Sequence, residues 1–520
     1  MLPPSGRRGG AAHYNACAAV SGHRGRWTAA LPGVLALLLG GCAAVGPPPA
    51  PDPDPDAPGG ACRVFFADLD RAVTEAGVRD GIGAPAEAHP YLRGTRFLQA
   101  FHDALNAPDL RVAWLDAAQQ TDRDARALEL INLGGDALRG IELPPGADNP
   151  WQAVTDCGDT LRALDRLDTD AAAWHEARDA LTVPDEYITW HRAAGVYPVS
   201  RWFIRAGVGA WQRGVRDTFE NARPDDDPAY RYAPAEGAAV AQDQATALLA
   251  EAERDALGRP RLPARDWQRL FDAYAPVIEV EGEAPHNRIG APGQDADGQP
   301  AVDTSHPVVY TSVSSTRFAG ETHVQLSYTW WFTERPVDHW FDLLGGALDG
   351  LTLRLTLAPT GELLLAETMH NCGCYHQYYP VQGLLARARP DYAEPPLVLP
   401  GPGLPDAGER LHLRLEDGTH YVQSLAFAAP QPGSADGYTM RDYDRLRSLP
   451  RADGARRSLF QPDGLVPGTE RRERWFFWVA GVPEPGAMRQ SHRHATAFVG
   501  RRHFDDPDLL ERIFKPAVAD

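Results

Sequence analysis

Lysine is all but missing from this chain: Lys515 is the only one, so the basic side chains are arginines, a coding bias that says little about function. Positive charge is also scarce, with 51 Lys and Arg against 70 Asp and Glu and a formal net charge of −19. An acidic balance of that size argues against a nucleic-acid binder and against general docking on anionic lipid headgroups. Long apolar runs are absent beyond Leu31 to Leu39, and that run is shorter than the ~20 residues a membrane-spanning helix needs. There is no P-loop, no G-x-S-x-G and no dinucleotide fingerprint, and Gly207-Val208-Gly209 lies inside a helical pattern with no strand before it. No internal repeat is present. Only six cysteines occur, at 17, 42, 62, 157, 372 and 374.

What is present begins with residues 1–41, which carry Arg7, Arg8, Arg24 and Arg26 and no acid, then the apolar run, then Gly40-Gly41-Cys42. This is the pattern of a signal peptide; Val20 as a non-Met start would leave Arg24 and Arg26 as its whole basic region. Leu39-Gly40-Gly41-Cys42 resembles the lipobox of bacterial lipoprotein precursors. The resemblance covers these residues and the region before them, and the globular part matches no family on its motifs. It implies that Cys42 receives a diacylglycerol, becomes the new N-terminus and is acylated. By the sorting rule of such lipoproteins, Ala43 after that cysteine implies the periplasmic face of the outer membrane. Residues 42–61, rich in Pro and Asp, read as an extended spacer.

The remaining length suits two or three domains. From 62 to 273 the apolar spacing is helical: Phe65, Leu69 and Val73, then Phe97, Leu98, Phe101 and Leu105. Further helices are expected at Pro108–Leu133, Thr160–Leu167, Ala171–Leu181, Pro184–Ala194, Arg201–Asn221, Ala238–Leu257 and Pro263–Phe271, with an acidic break at residues 223–228. From 274 to 520 the period becomes two. Val324 to Phe332 reads as a half-buried strand, and Leu351 to Leu357 followed by Pro359-Thr360-Gly361 reads as a hairpin. Leu411 to Leu425 around Asp417-Gly418 reads as a second hairpin. Strands are expected at Trp475–Val479 and Ala495–Val499, and a closing helix at Asp508–Phe514. The fold class is therefore α+β, a helical N-terminal half followed by an antiparallel β-rich C-terminal half. With Cys372 and Cys374 one residue apart, Cys62–Cys157 is the natural bridge in an oxidising compartment.

The densest chemistry is His370-Asn371-Cys372-Gly373-Cys374-Tyr375-His376. Thiolate and imidazole are ligands for zinc or copper. On a straight strand the outer histidines would lie ~20 Å apart, so one ion requires a bend at Gly373 or ligands from elsewhere. His492 and His494 are the obvious additions, with His323 and Glu367 weaker ones. The expected metal set is thus His370, Cys372, Cys374, His376, His492 and His494, with Glu367 or Tyr375 as proton-transfer candidates. Three other readings compete: a redox dithiol at Cys372-Gly373-Cys374, a Cys–His nucleophile with Cys374 and His376 or His494, and a non-catalytic scaffold or binding protein with structural cysteines. Asp295-Ala296-Asp297-Gly298 lacks the distal Glu of a calcium loop and reads as a turn. Trp330-Trp331-Phe332 and Trp475-Phe476-Phe477-Trp478 read as core, with a carbohydrate site as the alternative.

Overall fold

The computed structural model describes residues 53–517 apart from 84, 102–106, 222–227, 236–241, 296, 430–434 and 452. Cys42, the signal stretch and most of the spacer lie outside the described residues. Among those described, no helix is long and apolar enough to cross a membrane.

Helices dominate the N-terminal part and strands the C-terminal part. Gly60–Glu75 opens the array, starting inside the stretch read as spacer, and packs Phe65, Phe66, Leu69 and Val73 into one core with Val154 and Leu161 of Pro150–Asp165. The second helix starts earlier than its apolar spacing suggested, because Asn149 accepts from Gln152 N at 2.9 Å and Pro150 occupies the first turn. Cys62 and Cys157 bridge these two helices, with Cα atoms 5.2 Å apart. The expected helix at Pro184–Ala194 shrinks to Thr189–Ala194. Upstream of it, the Tyr187 hydroxyl donates to Ala497 O and Arg502 O, and Glu186 pairs with Arg493 at 2.5 Å, so tertiary partners override the local period.

The sheet is mixed, not antiparallel throughout. Its centre is a meander of Val308–Phe318, Glu321–Arg335, Gly346–Leu357 and Leu363–His370, each antiparallel to the next. Local turns give such pairs; distant segments add parallel ones, which need long crossovers. Asp436–Asp442 lies parallel to Val308–Phe318, Val277–Val280 parallel to Arg410–Leu415, and Tyr230–Pro234, a strand within the helical half, parallel to Asp436–Asp442. Both expected hairpins form, the second as Arg410–Leu415 with Val422–Ala428.

The two halves share a core. Val215, Ala245, Leu249 and Leu270 from helices pack with Val324, Leu326, Tyr328 and Trp330 on one sheet face. A buried ion pair also ties the N-terminal helices to the later chain: Arg447 holds Asp80 at 2.8 Å, and Asn132 donates to Arg447 O.

Glu321–Arg335 is not half-buried as its alternation suggested. Residues 322–332 are buried on both faces. Its polar face is a hydrogen-bond ladder under the C-terminal segments, in which Gln325 donates to Thr356, Thr329 bonds Thr352, and Thr352 donates to Asn371. Such a face is tolerated inside only when its polar groups find partners. Those covering segments differ from expectation. Residues 474–480 form a short helix, Arg474–Phe477, and a 3-10 turn, leaving Trp475 and Phe476 exposed instead of packed in the core. Residues 495–499 join no sheet beyond an isolated bridge from Ala495 to His503, because Glu394 accepts from Phe498 N and Val499 N at 2.9 and 3.0 Å. Trp330, Trp331 and Phe332 are fully buried, Asp295 caps its turn by accepting from Gln299 N, and the closing helix is Leu509–Ile513.

Candidate functional site: a buried acid, imidazole and dithiol cluster

The polar sheet face ends at a cluster built by six segments. His370 closes the strand Leu363–His370, and Asp349 lies near the start of its partner strand. Asp349 shares its carboxylate between two imidazoles, His420 Nδ1 at 2.7 Å and His370 Nδ1 at 3.5 Å. His420 comes from the turn of the second hairpin and stacks flat on Phe332, ring centroids 3.7 Å apart. All three groups are buried. Burial opposes ionisation of Asp349, but the bonds from His370 and His420 hold its carboxyl well below the usual range. Burial holds His420 down despite the carboxylate beside it.

Arg335, at the end of Glu321–Arg335, donates to the Tyr421 hydroxyl at 3.1 Å, and its guanidinium lies over the rings of Tyr421 and Tyr375. Tyr375 in turn meets His370 edge-on at 5.0 Å. From the segment before the short helix, Arg471 donates to Leu348 O and Glu473 enters the cluster. Burial pushes the Glu473 carboxyl up to about 7, against the pull of Arg335 and Arg471. Glu473, Arg471, His370, Cys372 and Met488 line one cavity of about 10 Å³, room for a single water-sized species.

The dithiol turn sits at this cavity. His370 N donates to Cys374 O and Gly373 N to His370 O, so the chain bends where a straight strand would have separated the ligands. Gly373 has φ +91, and a Cβ there would lie 2.7 Å from Ala495 O. Arg489 N donates to Asn371 O and Arg489 Nε to Cys372 O. The returning segment therefore packs on the turn, as the sequence suggested. Cys374 N donates to Cys372 Sγ at 3.4 Å, and both cysteines are free. The hydrogen bond to Cys372, and then burial, hold the Cys374 thiol well above the usual range. Arg471 and Arg489 both direct positive charge at Cys372.

The six expected metal ligands are divided among separate partners. His376 is bound at Nε2 by Glu367 (3.0 Å) and at Nδ1 by Tyr378 (2.9 Å). Glu367 is committed further to Arg354 at 2.7 and 2.9 Å, which leaves it a structural anion and not a proton carrier. His492 faces Asp505 at 3.4 Å, and His323 is buried with Nδ1 3.4 Å from Glu321 O. His494 does reach the turn, where Nε2 bonds Asn371 O at 3.1 Å, and its buried Nδ1 has no partner among the described residues. No group of three or more His, Cys, Asp or Glu among the described residues is arranged to hold a metal ion.

Sequence reasoning missed Asp349, His420, Arg335, Arg471, Glu473 and Met488. Asp349 left a trace as a lone acid opening an apolar run. Glu473 left none, since Glu470-Arg471-Arg472-Glu473-Arg474 reads as a solvated charge cluster. Gly486 exposes how tightly that carboxylate is held: its φ is +83, and an added Cβ would lie 2.2 Å from Glu473 Oε1. Gly486→Ala is expected to cost about 1–3 kcal/mol in denaturant unfolding, and Glu473→Gln should not relieve it because the backbone strain remains. No protein-family model matches this chain, and no curated protein or solved structure is significantly similar to it.

Proposed function

We propose that the chain is a cell-envelope lipoprotein, tethered through Cys42 to the periplasmic face of the outer membrane, whose Cys372-Gly373-Cys374 turn is a redox-active dithiol. The observation that carries the redox reading is the pairing of two adjacent free thiols with a buried carboxylic acid, Glu473, that titrates at about 7. Cys372 is buried beside a cavity of water size, so the covering segment must first move off the turn. Cys372, beside Arg471 and Arg489, then attacks a disulfide of a client, forming a mixed disulfide and releasing the client's first thiolate, which takes up the proton that Cys372 loses. Cys374 then displaces Cys372's new sulfur partner as the second client thiolate. Its own proton passes to Glu473 and on to that leaving group. The balance is one client disulfide reduced to two thiols and one Cys372–Cys374 disulfide formed. With one residue between the cysteines the ring is strained, so its reduction potential lies above about −300 mV, the region of labile disulfides.

Thiol counting tests this. Oxidised glutathione should remove two reactive thiols from the reduced protein, dithiothreitol should restore them, and either Cys372→Ser or Cys374→Ser should abolish the cycle. Glu473→Gln should slow exchange at pH 7 by roughly tenfold or more, the scale of lost general acid–base assistance. Thiols that stay free under oxidised glutathione overturn the redox reading.

The second reading is a zinc or copper site. It is favoured by Met488, whose thioether lines the same cavity as His370 and Cys372, since thiolate, thioether and imidazole together suit Cu(I). Stoichiometric metal by elemental analysis of the purified protein, lost with Met488→Leu and with Cys372→Ser, would favour it over the dithiol. For the tether, Cys42→Ala should leave the precursor unacylated with its signal uncleaved, and a variant that is still membrane-bound and fully processed overturns it.

A further inference from the structure

The acidic balance of the chain is not spread evenly. Between Glu186 and Asp217 there is no acid and there are five arginines, in a protein whose formal net charge is −19. This stretch is the helix Thr189–Ala194 and the long helix Tyr197–Asn221. It also carries the largest run of exposed apolar side chains: Trp190 at 66 %, Val196 at 60 %, Val199 at 56 %, Trp202 at 60 % and Phe203 at 77 %.

The patch continues onto the covering segment. Gly195 packs against Val479, Ile188 N donates to Gly481 O, and His191 meets Trp478 edge-on at 5.8 Å. Between these elements lies an open groove of about 690 Å³ with Trp475, 65 % exposed, on its wall. Soluble surfaces rarely leave this many large aromatics uncovered in one place. Tryptophan with arginine is the composition of a membrane interface, where the ring sits at headgroup level and the guanidinium meets lipid phosphate.

We infer that the surface formed by residues 190–205 and Trp475 docks on an anionic phospholipid bilayer, with Trp202 and Phe203 entering the interface and Arg201 and Arg205 flanking them. Charge complementarity selects this occupant. An acidic body is repelled by anionic lipid, whereas the longest acid-free stretch among the described residues is the one that presents the aromatics, and Glu484 on the groove wall is paired with Arg474 at 2.9 Å. The surface would act beside the Cys42 tether by fixing the protein's orientation, and its affinity is measured without relying on that tether.

The test uses the non-acylated protein, residues 43–520 made without the signal and Cys42, with vesicles of phosphatidylglycerol and phosphatidylcholine whose acyl chains are brominated, read by quenching of tryptophan emission. Quenching is expected on phosphatidylglycerol-containing vesicles and should be screened by 0.5 M salt, where the Debye length is roughly 4 Å against about 30 Å at 0.01 M. Trp202→Ser/Phe203→Ser should remove most of it, and Arg201→Gln/Arg205→Gln should weaken partitioning roughly tenfold or more. Both pairs are exposed, so unchanged thermal unfolding is the accompanying control. Equal quenching in the Trp202→Ser/Phe203→Ser variant, or none on anionic vesicles, overturns the proposal. So does self-association in sedimentation that this variant abolishes, which would assign the face to a second copy. Failure of the tether would appear separately, as unaltered processing of Cys42→Ala together with unaltered membrane retention.

Discussion

Replacing Cys62 and Cys157 by alanine is expected to lower the unfolding free energy by about 4–5 kcal/mol, the chain-entropy value for a loop closed over 95 residues. The bridge joins the helix Gly60–Glu75 to Pro150–Asp165, and the loop it closes holds most of the helical core. Removing it frees that loop in the unfolded chain while leaving Phe65, Phe66, Leu69 and Leu161 able to pack in the folded one. Guanidinium unfolding of the oxidised protein, the reduced protein and the double variant checks this. The reduced protein and the variant should fall together, well below the oxidised form. A difference under about 1 kcal/mol would mean that residual structure already restricts the unfolded ensemble.

That bridge was legible in the sequence, as were both hairpins, because each rests on local signals: cysteine arithmetic, alternation and turn chemistry. The parallel strands were not. Val277–Val280 beside Arg410–Leu415 depends on a crossover of over a hundred residues, and no local pattern encodes it. The residues 475–479 failed for a different reason. Four consecutive aromatics carry no period, and exposure of Trp475 and Phe476 is decided by what covers the groove, not by the helix itself.

The candidate site divides in the same way. Two thiols and two imidazoles in seven residues drew notice, and the bend at Gly373 and the return of His494 were readable from geometry and chemical economy. The histidines' actual partners were not. His376 faces Glu367 across adjacent strands, and His420 reaches Asp349 from a turn 71 positions away. Carboxylates that neutralise or orient a histidine from distant segments leave nothing periodic to find.

Lowering the pH from 7 to 5 is expected to expose those partnerships as a stability profile with a defined sign. Burial pushes His376 down to about 4 and His494 down to about 3, below the ~6.5 of an unfolded histidine. Their contributions are therefore present above pH 6.5 and lost as the pH falls through 6.5, where the unfolded chain takes protons that the folded one refuses. From pH 7 to 5 the two together cost about 4 kcal/mol. Burial raises Glu473 to about 7, so its contribution runs the other way: it is present below the unfolded carboxyl value and lost as the pH rises through 7, returning about 2 kcal/mol over the same interval. These three groups together should thus cost about 2 kcal/mol between pH 7 and 5, with the lowered His323 and His420 adding to the loss and the raised His503, Glu186 and Glu394 offsetting it. Glu473→Gln, which removes one opposing group, should lose about 2 kcal/mol more than the native protein over that interval, and should be the more stable of the two near pH 8, where ionised Glu473 is buried. Denaturant unfolding of both proteins at pH 5, 6, 7 and 8 measures the four differences. Parallel curves would show that Glu473 does not titrate near neutrality, and with that the proton acceptor assigned to the dithiol would be lost.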